Sequence, residues 1–125
     1  MTELKFDEYQ EKSQHTAIYL DKVKEKYPDL PEEIYKILGI SYCGNGLGEA
    51  GEIQGKIKKI IRDAGGDITD EVKQAIAKEY GDLLWYVAMG CNEFGISLGD
   101  VAQANLDKLL SRKERGVIGG NGDER

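Results

Sequence analysis

The sequence predicts an all-α protein, an antiparallel bundle of four to five helices that ends in a short Gly-rich tail. Apolar residues recur at steps of three and four along most of the 125 residues. No segment has a strand pattern that competes with the helical one, and clusters of Gly and Pro separate the periodic segments. The length suits one domain with a buried core, for which we expect residues 1–116, with 117–125 as the tail.

The first half of the chain predicts two helical segments. The first runs from about Glu3 to Tyr27, and the prolines at 28 and 31 end it. The second runs from Pro31 to about Arg62 and is interrupted by the glycines of residues 43–48. Each glycine inside a helix costs about 1 kcal/mol relative to alanine. We therefore expect these glycines where the backbone lies close to a ligand or a partner helix.

The second half predicts a long helix and a shorter one. Thr69 is a suitable N-cap for the long helix, which runs to Phe94. It is apolar on nearly all sides after Asp82, which predicts burial on several sides and a subunit interface. Ser97 caps the last helix, and the residues from Gly116 onward have no periodicity.

Composition excludes several classes of function. The net charge of −6 argues against a nucleic-acid partner, which needs a basic face. No apolar run has the length of a membrane span, and the charged residues 1–8 do not resemble a signal peptide, so we expect a cytoplasmic protein. Cys43 and Cys91 have neither a metal-ligand spacing nor the number for a disulfide framework, and we interpret them as small buried apolar residues.

Two acidic pairs, Glu49 with Glu52 and Glu79 with Asp82, are the strongest functional signal. In each pair a spacing of three places both side chains on one helix face. The arms between the pairs and the intervening turn at residues 63–67 are about 16 and 15 Å long. If the two helices fold back antiparallel, all four carboxylates meet in one layer. Carboxylates so placed repel each other unless a cation lies between them.

The predicted cation is Mg²⁺, with Mn²⁺ as a substitute, because carboxylate oxygens favour hard cations. A ferritin-like di-iron site would need Glu-x-x-His ligands, and His15 on the first helix is the single histidine. Mg²⁺ in proteins commonly binds a phosphate substrate, so we expect phosphoryl or nucleotidyl chemistry. The number of ions stays open.

Cationic and aromatic residues complete the candidate site. Lys56 and Lys59 follow Glu52 by one and two turns, and Lys108, Arg112 and Arg115 line one side of the last helix and its end. Trp85 and Tyr86 lie about one turn after Asp82, where an aromatic ring has the right chemistry to hold a nucleobase.

Three segments together resemble a known family. Residues 46–53, 78–86 and 105–112 are similar to the MazG-like nucleoside triphosphate pyrophosphohydrolases of the all-alpha NTP pyrophosphatase superfamily. The resemblance covers about residues 3–116 and includes the order of the two acidic pairs. The tail is similar to the C-termini of small bacterial and phage members.

The resemblance implies a dimer or a dimer of dimers that cleaves a nucleoside triphosphate into monophosphate and pyrophosphate with Mg²⁺. It implies that Glu49, Glu52, Glu79 and Asp82 bind the metal and that Tyr86, Asn105 and Lys108 contact phosphates. Arg112 and Arg115 match basic positions near the substrate. We expect a metal-activated water to attack the α-phosphorus, with Glu52 or Glu79 accepting its proton.

Three alternatives remain open at this point. Phosphoribosyl-ATP pyrophosphohydrolase and the dUTP- or dCTP-cleaving enzymes belong to the same fold, and a panel of substrates separates them. A non-catalytic helical interaction module is the third alternative. It has no need to bring Tyr86 and Lys108 to the carboxylates.

Overall fold

A computed structural model describes residues 3–125 of the protein, so Met1 and Thr2 of the predicted domain lie outside it. The described range contains six helices and no strand, which confirms the all-α class. The helices are α1 (Phe6–Gln14), α2 (Asp21–Lys26), α3 (Glu32–Cys43), α4 (Gly46–Ala64), α5 (Asp70–Glu93) and α6 (Leu98–Glu114). None of these helices is long and apolar enough to cross a lipid bilayer.

The structure divides the first two predicted segments and confirms the predicted caps. Residues 15–20 separate α1 from α2, and Gly44 and Asn45 separate α3 from α4. Thr69 accepts a hydrogen bond from the backbone N–H of Val72, and Ser97 accepts one from Asp100. Both caps satisfy amide groups that the first turn of a helix leaves unpaired.

The core lies around the C-terminal half of α5. Ala88, Met89 and Cys91 are buried there together with Leu98 of α6. The part of this helix after Asp82 thus contributes most of the buried core. Its burial is not complete, because Val87 and Phe94 are exposed.

Helix α1 holds the turn between α5 and α6. Gln10 is buried, and its amide donates to the carbonyl of Ile96 and accepts from the N–H of Leu98, each at 2.8 Å. Asp7 accepts from the hydroxyl of Ser97 at 2.7 Å and from the N–H of Gly99 at 2.9 Å. These bonds tie the first helix to the start of the last one.

Helices α4 and α5 form the antiparallel pair that the acidic residues require. Gly46 at the start of α4 lies against Tyr86 near the middle of α5, whereas Ile60 near the end of α4 lies beside Val72 near the start of α5. A Cβ atom at Gly46 would lie 3.2 Å from the Cβ of Tyr86 and 3.6 Å from Cδ1 of Leu83. Gly46 therefore permits the close approach of two helices that was predicted for the glycine-rich segment.

Gly46→Ala and Gly51→Ala are expected to have opposite effects on the free energy of unfolding. The new methyl group at position 46 would press on Tyr86 at its Cβ atom, which cannot move away without its backbone, and overpacking costs about 1–3 kcal/mol. Nothing lies within 4 Å of a Cβ at Gly51. There, alanine should raise stability by about 0.5–1 kcal/mol. Urea unfolding measures the change in the free energy of unfolding for each variant. Equal changes for Gly46→Ala and Gly51→Ala would contradict the packing of Gly46 against Tyr86.

Candidate active site

Three of the four predicted carboxylates form a cluster between α4 and α5. Glu49, Glu79 and Asp82 each offer one oxygen, and these oxygens lie within 4.8 Å of one another. Glu49 and Glu79 are half-buried and Asp82 is exposed, so the cluster opens to solvent on one side. We refer to these three residues as the carboxylate cluster.

Glu52 does not belong to the carboxylate cluster, although it was predicted to lie in the same layer. Its side chain is exposed one turn further along α4. It still acts on the cluster through its charge, because it raises the pKa of Glu49. Three of the four predicted carboxylates thus form the cluster, and the fourth, Glu52, lies outside it.

The electrostatics of Glu49 show the mutual repulsion expected of such a cluster. Partial burial raises the pKa of the Glu49 carboxyl above its ordinary value of 4.5, and the charges of Asp82, Glu79 and Glu52 raise it further. Both causes disfavour the negative form of the carboxyl. A divalent cation placed between these oxygens would reverse that preference.

Lys56 is the basic side chain closest to the carboxylate cluster among the described ion pairs. Its Nζ lies 3.5 Å from Oε1 of Glu79. Lys59, the second lysine predicted on α4, is exposed and lies with Lys56 beside an apolar groove formed by Ile60, Val72 and Ile76. Only the first of the two lysines therefore contacts the cluster.

An aromatic group lies next to the carboxylate cluster. Tyr86 packs edge-on against Trp85, with ring centroids 5.1 Å apart, and lies 6.1 Å from Tyr42 of α3. Burial and neighbouring Tyr42 raise the pKa of the Tyr86 hydroxyl, and Glu49 and Asp82 add to this effect through their charges. Trp85 donates its indole N–H to the hydroxyl of Thr16 at 2.8 Å.

Two tyrosines near the site, Tyr42 and Tyr9, were not predicted from the sequence. The ring of Tyr42 stacks on that of Tyr19 at 4.6 Å. The pKa of Tyr9 is raised by burial and then by the charge of Asp82, which places Tyr9 near the cluster as well. The number of tyrosines, seven in the chain, was a possible signal, but nothing local marks which of them face α5.

The cationic side chains predicted on α6 and at its end bond to the tail. Asn105 is exposed, and Lys108 and Arg112 pair with Asp123 of the tail. No hydrogen bond or ion pair among residues 3–125 joins these side chains to the carboxylate cluster. The Arg112 guanidinium, followed by Lys108, holds the pKa of the Asp123 carboxyl below its ordinary value of 3.8.

Comparison with known proteins decides the family. The model of the MazG nucleotide pyrophosphohydrolase domain matches residues 41–117, which include the whole carboxylate cluster. The chain belongs to the MazG family. A relative, the Gene 37 protein of Mycobacterium phage L5, is 53% identical over 90 residues, which cover 71% of this chain and 79% of that protein. No solved structure matches the chain.

The raised pKa of Glu49 predicts how the metal-free MazG domain responds to pH. A carboxyl whose pKa is higher in the folded than in the unfolded state favours folding at low pH, and this contribution is lost as pH rises through the folded-state pKa. In EDTA, the stability of Glu49→Gln relative to the unmodified chain should therefore increase as pH rises above 4.5.

Urea unfolding at a series of pH values, with both proteins in EDTA, measures this difference. Titrating groups remote from the carboxylate cluster, such as Asp123, are common to both proteins and cancel. A difference that does not change with pH would contradict the repulsion within the cluster. A divalent cation bound by the cluster would reverse the order of stability at pH 8, because a ligand stabilises the folded chain that binds it.

Proposed function

We propose that this MazG protein is a Mg²⁺-dependent pyrophosphohydrolase that cleaves nucleoside triphosphates into monophosphate and pyrophosphate. The observation that carries the proposal is the carboxylate cluster, three oxygen donors within 4.8 Å on two adjacent helices. Family membership supplies the reaction class, and the cluster supplies a reason for dependence on a divalent cation.

The donor set fits a hard cation. Glu49, Glu79 and Asp82 would hold it through carboxylate oxygens, the ligands that Mg²⁺ and Mn²⁺ prefer. The open side of the cluster leaves access for the oxygens of a phosphate group. When bound, the cation offsets phosphate charge and lowers the pKa of water.

The side chains around the cluster have separate roles in this proposal. Water attacks the α-phosphorus, the bond from that phosphorus to the bridging oxygen breaks, and pyrophosphate leaves. Glu52 suits the proton-accepting role better than Glu79, because Glu52 is exposed outside the cluster whereas Glu79 pairs with Lys56. Lys56, released from Glu79 when a cation binds, is placed to contact a phosphate oxygen.

The aromatic group is proposed to hold the nucleobase. Tyr86 lies beside Glu49 and Asp82, its ring packs against those of Trp85 and Tyr42, and aromatic rings of this kind can stack on a planar base. Trp85 is fixed by its bond to Thr16, so its indole is oriented before substrate arrives. Such preorganisation reduces the loss of entropy on binding.

We also propose that the working form is a homodimer or homotetramer. Apolar side chains are exposed along α3 and α6, namely Ile34, Ile37, Leu38, Leu106, Leu109 and Leu110. Exposed apolar surface of this extent is typical of a protein interface. A second protomer is then the proposed source of the cations of α6, which form no described bond to the carboxylate cluster of their own chain.

Pyrophosphate release from a panel of ribo- and deoxyribonucleoside triphosphates tests the proposed reaction. The panel includes dUTP and dCTP, and phosphoribosyl-ATP is assayed beside it, first with Mg²⁺ and then with excess EDTA. We expect monophosphate and pyrophosphate in equal amounts with Mg²⁺ and none with EDTA. Turnover of phosphoribosyl-ATP and of no other substrate would identify the protein as a phosphoribosyl-ATP pyrophosphohydrolase instead. No turnover of any substrate would favour an interaction module.

A further inference from the structure

The last helix carries a row of cations that the tail covers. Lys108, Arg112 and Arg115 recur along one side of α6 and its C-terminal end, and we call them the basic stripe. The tail, residues 117–125, turns back toward them. Arg125 holds this turn by donating to the carbonyls of Val117 at 3.2 Å and Ile118 at 3.0 Å.

Oxygen atoms of the tail occupy the basic stripe. Oδ1 of Asp123 lies 3.5 Å from Nζ of Lys108 and 3.3 Å from Nη2 of Arg112. The same Nη2 donates to the carbonyl oxygen of Asp123 at 2.7 Å, and Arg115 donates to the backbone oxygen of Arg125 at 3.0 Å. The basic stripe thus binds one side-chain carboxylate and two backbone oxygens of the tail.

Arg112 is only partly satisfied by the tail. Its side chain is 6% exposed, yet its Nε is buried and has no hydrogen-bond partner among residues 3–125. A guanidinium offers several donors in one plane and binds a carboxylate or phosphate best through two of them at once. Asp123 uses Nη2 alone, and its own side chain is 84% exposed. A ligand with more oxygens than Asp123 would satisfy Arg112 better.

We propose that Asp123 takes the place of phosphate on the basic stripe when no ligand is bound, so that the tail competes with the phosphates of the substrate for Lys108 and Arg112. The phosphates of the nucleotide substrate are the intended ligand, and in this respect the inference rests on the proposed function. Pyrophosphate contains two linked phosphate groups, so its anionic oxygens can bind more than one cation of the basic stripe at once. The tail lifts when pyrophosphate or the matching part of a nucleotide binds.

Asp123→Asn and Glu124→Gln, made in the full chain, provide a matched test. Both remove one negative charge from the tail, but Glu124 forms no described ion pair with the stripe. Binding of inorganic pyrophosphate is measured by calorimetry in EDTA, where the carboxylate cluster has no metal to attract it. Asp123→Asn should bind pyrophosphate about 1.5- to 5-fold more tightly, the effect expected from loss of one exposed ion pair. Glu124→Gln should bind like the unmodified chain.

Hydrogen exchange of the tail in the unmodified chain gives a second readout. Pyrophosphate should speed exchange at the amides of residues 117–125, and Lys108→Gln should weaken pyrophosphate binding. Weaker binding by Asp123→Asn, or slower exchange with ligand, would overturn competition and show a tail that closes over ligand instead. Absence of pyrophosphate binding would overturn the phosphate site.

The test does not depend on turnover. Failure of the triphosphate panel would leave the pyrophosphate titration interpretable. Conversely, an active enzyme whose tail does not respond to pyrophosphate would disprove only the role of the tail.

Discussion

Glu79→Gln is expected to lower the rate of triphosphate hydrolysis at least about 100-fold while the helical circular-dichroism signal stays nearly unchanged. Loss of a residue that merely supports a metal ligand costs roughly 10- to 100-fold in activity or affinity, and Glu79 is a proposed ligand itself. Glutamine keeps the size of the side chain and removes the charge. The half-buried position of Glu79 between α4 and α5 is otherwise left intact.

Glu71→Gln is the matched control for this substitution. Glu71 lies on the same helix, two turns before Glu79, and is exposed. Its substitution should change the rate less than about twofold, because a surface change of this kind alters stability by no more than about 0.5 kcal/mol. An active Glu79→Gln enzyme would remove the carboxylate cluster from the mechanism.

Met89→Ala is expected to have the largest effect on stability. Met89 is fully buried in the core, where it lies with Ala88, Cys91 and Leu98. Removing a buried side chain of this size leaves a cavity and costs about 2–5 kcal/mol. Since single domains have a free energy of unfolding of about 5–15 kcal/mol, this variant should unfold at a much lower urea concentration.

Leu47→Ala provides the control for truncation of an apolar side chain. Leu47 lies in the first turn of α4 and is 84% exposed. Its truncation should change the free energy of unfolding by no more than about 0.5 kcal/mol. Equal losses for Met89→Ala and Leu47→Ala would contradict a core centred on the C-terminal half of α5.

Features that depend on neighbouring residues could be predicted from the sequence. Thr69 and Ser97 were recognised as caps because their hydrogen bonds reach only three residues along the chain. The meeting of Glu49 with Glu79 and Asp82 followed from two arms of similar length on either side of one turn. Helix geometry alone relates those positions.

Features that depend on distant contacts could not be predicted in this way. The bond between Trp85 and Thr16 joins segments with no shared local pattern. The pairing of Asp123 with Arg112 depends on a turn in a tail that has no periodicity. Gly46 and Gly51 have the same side chain, and only the position of Tyr86 distinguishes a close contact from open space.

Binding of Mn²⁺, followed by the electron paramagnetic resonance signal of the free ion, tests the central claim most directly. The account predicts that the unmodified chain removes Mn²⁺ from solution and that Glu49→Gln combined with Asp82→Asn abolishes this binding. Mg²⁺ should displace the bound Mn²⁺ from the unmodified chain. Equal Mn²⁺ binding by the two proteins would contradict the assignment of Glu49, Glu79 and Asp82 as the metal centre.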